Sequence, residues 1–284
     1  MWREPRNIPL SDRERAEGFR GVGCSPVVTE RAEGVRGCDC GSSVVTERSQ
    51  GGRRVHRKRG ALSFGPPKPR PMLVLGDAHA DDPARRRALF AAYRAADADV
   101  ALQLGDLLCY DLPIPTYFVA GNNEDFDVVE ALRHGRVESS DVDGVTLLAG
   151  DVVEIEGLRV AGLSGNFAPT QFERPRPNLQ GERRRHFVRD DVEAAKQLSD
   201  VDVLLTHEAP HGLPVTESYE VGCEHVDELL DALDPDLCLV GHHHEHAETT
   251  YGDTRVVGLA PAWERYYELD PETLELTSQP TPEA

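Results

Sequence analysis

The chain has 284 residues, with 31 Lys+Arg against 50 Asp+Glu and a formal net charge of −19. Residues 1–70 hold 15 basic and 8 acidic residues, whereas residues 71–284 hold 16 basic and 42 acidic, a net −26; so sharp an asymmetry marks a boundary between two pieces. The acidic piece repels nucleic acid unless metals or a local arginine patch offset it, and no run reaches the about 18–20 apolar residues of a membrane helix.

Residues 1–70 are rich in Arg, Gly, Ser and Glu and lack periodicity, a composition that predicts disorder. Val27-Val-Thr-Glu-Arg31 returns as Val44-Val-Thr-Glu-Arg48. Arg53, Arg54, Arg57, Lys58 and Arg59 could form a basic arm for nucleic acid, although few aromatics are interleaved for stacking. A third reading is that the segment is not part of the natural protein, because translation from Met72 would give a whole domain. The Cys38-Asp-Cys40 pair lacks the second half of a metal site. Without the apolar core of a signal peptide at its N-terminus, the protein is expected to be soluble and cytoplasmic.

Residues 71–284 have room for one domain with a sizeable core. Lys196 is their single lysine, against fifteen arginines. Dense acidity with almost no lysine reads as halophilic, since salt screens surface charge. Unfolding is therefore expected to be harder in molar KCl than in dilute buffer; equal resistance in a denaturant titration would remove this reading.

Leu73-Val-Leu75 predicts a short buried strand ending in Gly76-Asp77-Ala78-His79. Asp81-Asp82-Pro83 then starts a helix to about Ala96. Val100-Ala-Leu-Gln-Leu104 is a second strand, turned by Gly105 into Asp106, and Thr116-Tyr-Phe-Val119 a third, ending in Gly121-Asn122-Asn123-Glu124. A helix follows over about Asp125 to Arg133. Short β segments near 145–148, 151–156 and 158–163, separated by glycines, predict antiparallel hairpins. Residues 165–185 read as loop, and Asp190 to Leu198 as helix. The strand Val201-Asp-Val-Leu-Leu205 ends in Thr206-His207. Another helix is expected over about Cys223 to Ala232. Leu237-Cys-Leu-Val240 ends in Gly241-His242-His243-His244. Short strands follow to about Leu276, and Pro280 onward reads as a frayed tail. Cys109 and Cys238 lie in or beside apolar runs, as buried thiols do.

Five apolar strands thus end in metal-binding residue types: Asp77 with His79, Asp106, Asn122, His207, and His242 with His244. In an α/β sheet, strand ends on one edge lie close in space. Two carboxylates, an amide oxygen and four imidazoles suit Mn, Fe, Zn or Co better than Mg or Ca. Seven side chains exceed the needs of one ion and fit a pair sharing a carboxylate. Side-chain alternation along an extended exit would point His242 and His244 the same way and His243 away.

These motifs, in this order, resemble the calcineurin-like metallophosphoesterases over nearly all of residues 72–260. The resemblance implies an α/β fold, a four-layer αββα sandwich of two mixed β-sheets with metals at the strand ends. It implies two divalent ions, manganese favoured. Asp77, His79 and His244 would hold one, Asn122, His207 and His242 the other, and Asp106 would bridge them. The activity implied is that of a phosphodiesterase, hydrolysing a nucleotide or nucleic-acid phosphodiester, RNA included, by two-metal water activation.

One position departs from the family, which usually places His after the metal-binding Asn to contact phosphate and assist the leaving group. Here that residue is Asn123, whose amide donates a hydrogen bond but is no useful acid at pH 7. His211 is the nearest substitute among the catalytic candidates. Val160-Ala-Gly-Leu-Ser-Gly-Asn166, Arg185-His-Phe-Val-Arg189 and Leu204-Leu-Thr-His-Glu-Ala-Pro210 are also similar to the lariat debranching enzymes, whose C-terminal half has no counterpart here. Arg185 and Arg189 are the substrate-binding candidates, since arginine suits phosphate. Two alternatives stand beside the phosphodiesterase: a phosphomonoesterase, and a scaffold that keeps the fold without catalysis.

Overall fold

The computed structural model describes residues 69–136, 142–215 and 221–283. The expectations for residues 1–68 lie outside this range. All the described residues belong to the larger of two compact units, Leu62–Ala284. Their architecture is set by strands that are apolar on both faces, such as β1 (Met72–Leu75), β7 (Val203–Thr206) and β8 (Leu237–Val240), every residue of which is buried. Such strands must be covered on both sides.

Two six-stranded mixed sheets result. One has the order β12 (Leu276–Pro280), β11 (Arg265–Leu269), β1, β2 (Ala101–Gln103), β3 (Asp111–Phe118), β4 (Asp143–Leu147). The other runs β5 (Val152–Ile155), β6 (Leu158–Leu163), β7, β8, β10 (Thr254–Gly258), β9 (Ala247–Tyr251). The pairs within β1–β4 and within β6, β7, β8 and β10 are parallel; the outer pairs are antiparallel.

Alternation along the strands divides the core into three apolar layers. Met72, Val74, Leu102 and Leu104 meet Val203, Leu205, Leu237 and Leu239 between the sheets. Leu73, Leu75 and Phe118 face Leu89 and Ala92 of α1 (Pro83–Ala95) and Val129 of α2 (Phe126–Arg133). Leu204 and Cys238 face Val192 of α4 (Arg189–Ala195) and Val226, Leu229 and Leu230 of α5 (Glu224–Leu233). Four layers, αββα, follow as expected. Among the described residues no helix is long and apolar enough to cross a membrane.

Several sequence expectations are corrected. β4 is not part of a hairpin: it lies parallel to β3, whereas β5 and β6 form the antiparallel pair in the other sheet. The Glu156-Gly157 turn, with φ of 49° and 85°, matches the left-handed two-residue loop that such a pair favours. β3 begins earlier than Thr116, at Asp111. Its Pro113 and Pro115 fall before the segment paired with β2, at a register shift, where missing N–H donors are tolerated. Residues 165–185 contain a short helix, α3 (Pro169–Phe172), and two 3₁₀ turns, Arg176–Asn178 and Gly181–Arg185. Residues 276–280 form β12, and Thr281 is tied down: its N–H donates to Glu264 O and its hydroxyl to Ala262 O, at 2.9 and 2.7 Å.

Candidate active site

The C-terminal ends of β1, β2, β3, β7 and β8 carry the residues singled out above. Backbone strain concentrates there. His79, Asp106, His242 and His244 all have left-handed φ, at 45°, 52°, 71° and 58°. For residues with a Cβ this costs on the order of 1 kcal/mol each, and it is kept where surrounding structure over-determines it. Tight packing does so here. A Cβ on Gly105 would lie 2.4 Å from His207 Nδ1, and one on Gly121 would lie 2.1 Å from Asp106 Oδ1.

The left-handed backbone also corrects the reasoning about His242 to His244. β8 stops at Val240, so strand alternation does not set their directions. His242 packs edge-on to His207, with ring centroids 5.0 Å apart, while His244 packs against His79 at 5.4 Å. The two histidines therefore serve opposite sides of the cluster. His243 packs edge-on to His242, its Nε2 buried without a hydrogen bond.

Asp77, Asp106 and His207 are buried. One carboxylate oxygen of Asp77 accepts the His242 N–H at 2.9 Å. The other, Oδ1, is buried with no hydrogen-bond partner, 3.6 Å from His244 Nε2 and 3.9 Å from His207 Nδ1. Asp106 presents Oδ2 to His79 Nε2 at 3.4 Å and Oδ1 to His207 Nε2 at 3.7 Å. His207 Nδ1–H donates to Leu104 O at 2.8 Å, which leaves Nε2 facing Asn122 Oδ1 at 3.0 Å. That convergence is satisfied by a proton on Nε2 or by a metal ion. Burial opposes charge on Asp77, but the imidazoles of His244 and His207 hold its carboxyl below the usual range. Burial likewise opposes charge on His207, yet Asp77 and Asp106 raise its pKa.

Among the described residues, two groups have ligand atoms within 4.8 Å of one another: Asp77 with His79 and His244, and Asp77 with Asp106 and His207. An orphaned carboxylate oxygen, nitrogen and oxygen donors in one buried cluster, and an imidazole oriented by a backbone carbonyl fit divalent metal ions.

The other candidates fall in different places. Asn123 directs both donors at Asp106: its N–H reaches Oδ1 at 2.7 Å and its Nδ2 reaches Oδ2 at 2.8 Å. His211 Nδ1 donates to Asp227 Oδ2 of α5 at 2.6 Å, and its contacts are outside the cluster. Arg185 lines a cavity of about 300 Å³ with Asn122, Asn123, Glu124 and Phe126. Arg189 does not line it; its guanidinium pairs with Glu173 and lies over Phe172.

Sequence reasoning assigned no role to two buried polar residues that fix the site. Glu124 accepts from Leu107 N and Gly121 N through Oε1, and from Leu108 N and the Tyr110 hydroxyl through Oε2. Burial pushes its carboxyl up to about 7 against the pull of these donors. Gln103 donates to Gly76 O and Gly105 O and accepts from Gly105 N, joining the β1 and β2 exits. A glutamine inside the apolar run Ala101-Leu-Gln-Leu104 was the available signal, because a buried amide needs partners.

The calcineurin-like phosphoesterase family model matches residues 56–246. The chain belongs to this family. Among curated relatives of the chain, the lariat debranching enzyme of Arabidopsis thaliana is 33% identical over 108 residues, covering 36% of this chain and 25% of that protein. That of Drosophila melanogaster is 27% identical over 156 residues, covering 46% and 29%. The chain thus spans only about a quarter of the length of these relatives. The crystal structure of the protein TT1561 of Thermus thermophilus matches 76% of this chain and all of that one, with a TM-score of 0.52 at 20% identity. This likeness shows the fold: two mixed sheets flanked by helices.

Proposed function

We propose that residues 71–284 form the catalytic domain of a cytoplasmic, salt-adapted phosphodiesterase acting on a nucleotide or nucleic-acid phosphodiester with two divalent metal ions, manganese favoured, and that residues 1–70 are a basic extension. The observation that carries this reading is the buried Asp77 Oδ1, left without a hydrogen bond among histidine nitrogens and the Asp106 carboxylate. A buried anionic oxygen without a partner is expensive, and a cation supplies what the protein does not.

Asp77, His79 and His244 would hold one ion, and Asn122, His207 and His242 the other. Asp106, whose two oxygens face His79 and His207 respectively, would join them. Bound there, the ions supply Lewis acidity for water activation and neutralise phosphoryl charge. The protein's own groups do the rest. Leu104 O fixes the His207 tautomer. Asn123 is a positioning residue, because both its donors hold the Asp106 carboxylate in place. Arg185 offers the cavity beside Asn122 and Asn123 a guanidinium for a phosphoryl oxygen. His211, held by Asp227 outside the cluster, would serve as proton donor only to a leaving group that extends to it. Arg189, paired with Glu173, would reach substrate only by leaving that partner.

With added Mn²⁺, turnover of bis-p-nitrophenyl phosphate is expected to exceed that of p-nitrophenyl phosphate. The reverse order would identify a phosphomonoesterase. No turnover of either, with metal shown to be bound, would identify a scaffold.

A further inference from the structure

Helix α1 carries four exposed arginines, Arg85, Arg86, Arg87 and Arg94. The domain has 42 acidic residues among positions 71–284, and several of its other basic groups pair with them: Arg176 with Asp191, Arg184 with Asp127, Arg189 with Glu173, Arg255 with Glu248. Among the described residues none of the four α1 arginines has a carboxylate ion-pair partner. The nearby acid, Asp82, accepts the backbone N–H groups of Ala84 and Arg85 as the helix cap.

This arrangement is unfavourable for the helix alone. Three arginines near its start, with no acid in the first turn, oppose the macrodipole. The helical repeat gathers Pro83, Arg86, Arg87, Phe90 and Arg94 around a surface groove of about 410 Å³. From Arg87 to Arg94 the groove extends about 10 Å along the axis. Arg85 lies on the opposite side of the helix from these residues and reaches the metal-binding residues instead: its guanidinium lies 4.1 Å from the Trp263 ring, and Trp263 lies 5.3 Å from His244 and 5.8 Å from His79.

We propose that the phosphodiester backbone of a single-stranded nucleic acid passes from the His79/His244 side of the site over Trp263 and Arg85 at the start of α1 and onto the outer face of the helix, with Trp263 and Phe90 as stacking surfaces. The inference rests on the phosphodiesterase reading and extends it from a small ester to a polynucleotide strand. A basic track interleaved with aromatic rings is how sequence-tolerant single-strand binding is built. Residues 1–70 carry an excess of basic residues, so charge disfavours that segment of the chain as the occupant.

Trp2 and Trp263 are the only tryptophans, which gives a local readout. In the full chain carrying Trp2→Phe, treated with chelator, an oligouridylate of about twelve residues is expected to quench Trp263 fluorescence saturably. Adding Arg86→Ala, Arg87→Ala and Arg94→Ala should raise the half-saturating concentration at least tenfold. It should also reduce the slope of log affinity against log salt by about 2, as expected for losing three strand-phosphate contacts. Alanine keeps the exposed helix intact. Absence of quenching, or an unmoved half-saturation in the triple variant, would overturn the proposal. Equal affinity for polyglutamate would overturn the nucleic-acid assignment in favour of an acidic peptide, and equal affinity for inorganic phosphate would reduce the groove to a single anion site. Hydrolysis of bis-p-nitrophenyl phosphate by the unaltered chain reports separately on the phosphodiesterase reading, so the two failures are distinguishable.

Discussion

Asp106→Asn is expected to abolish paired metal binding and hydrolysis together. The carboxylate is buried on a left-handed residue, with one oxygen 3.4 Å from His79 Nε2 and the other 3.7 Å from His207 Nε2. An amide has one acceptor oxygen, so either the His79 side or the His207 side would meet an NH₂ group that cannot ligate. The same NH₂ would confront a donor of Asn123, which now bonds both oxygens. Turnover of bis-p-nitrophenyl phosphate should fall by about a thousandfold, the scale of losing one preorganised electrostatic group, and bound Mn²⁺ should drop below two ions per chain. The metal-free variant should unfold within a few degrees of the unaltered chain, because removing one of two close buried carboxylates relieves repulsion while the amide disturbs Asn123. Full activity with two ions bound would refute the bridging role.

The order of motifs was readable because each is local. An apolar run followed by Gly-Asp or Gly-His records both a doubly covered strand and the polar residue at its end, and no distant contact is needed to see it. The position of β4 was not readable. An edge strand parallel to β3 and one arm of a hairpin have the same residue pattern, and the choice depends on whether the chain after Gly150 stays in one sheet or crosses to the other. The directions of His242 and His244 were expected from strand alternation, but they follow from left-handed backbone that tertiary packing imposes. Glu124 and Gln103 escaped for a related reason. Their roles lie in hydrogen bonds to the exits of other strands, and a single sequence does not display such pairings. The fate of Asn123 was half legible. Its inability to act as an acid follows from its chemistry, whereas its hold on Asp106 required coordinates.

Glu124→Gln is expected to lower stability by about 3 kcal/mol or more, although the change is nearly isosteric. Each carboxylate oxygen of Glu124 accepts two hydrogen bonds, from Leu107 N and Gly121 N on one side and from Leu108 N and Tyr110 Oη on the other. Whichever way a glutamine amide is turned, its NH₂ faces groups that are themselves donors, leaving buried N–H groups unpaired at about 1–3 kcal/mol each. Tyr110 alone can adapt, by accepting instead of donating. For a domain of about this size the loss corresponds to a fall in Tm of roughly 6–12 °C. Because these donors lie in the Asp106 and Asn122 loops, metal affinity should weaken as well. The gap between the two proteins should also depend on pH. Burial raises the Glu124 carboxyl from its ordinary 4.5 to about 7, so across that window the folded state retains a proton that the unfolded chain releases. The contribution of Glu124 to stability therefore falls as pH rises from 4.5 to about 7 and is constant above it. Glutamine does not titrate. In metal-free protein the gap in stability between the unaltered chain and the variant should be widest near pH 4.5 and narrow toward pH 7. Thermal unfolding across that range measures it, and a flat gap with a Tm loss under about 2 °C would show that Glu124 does not hold these loops.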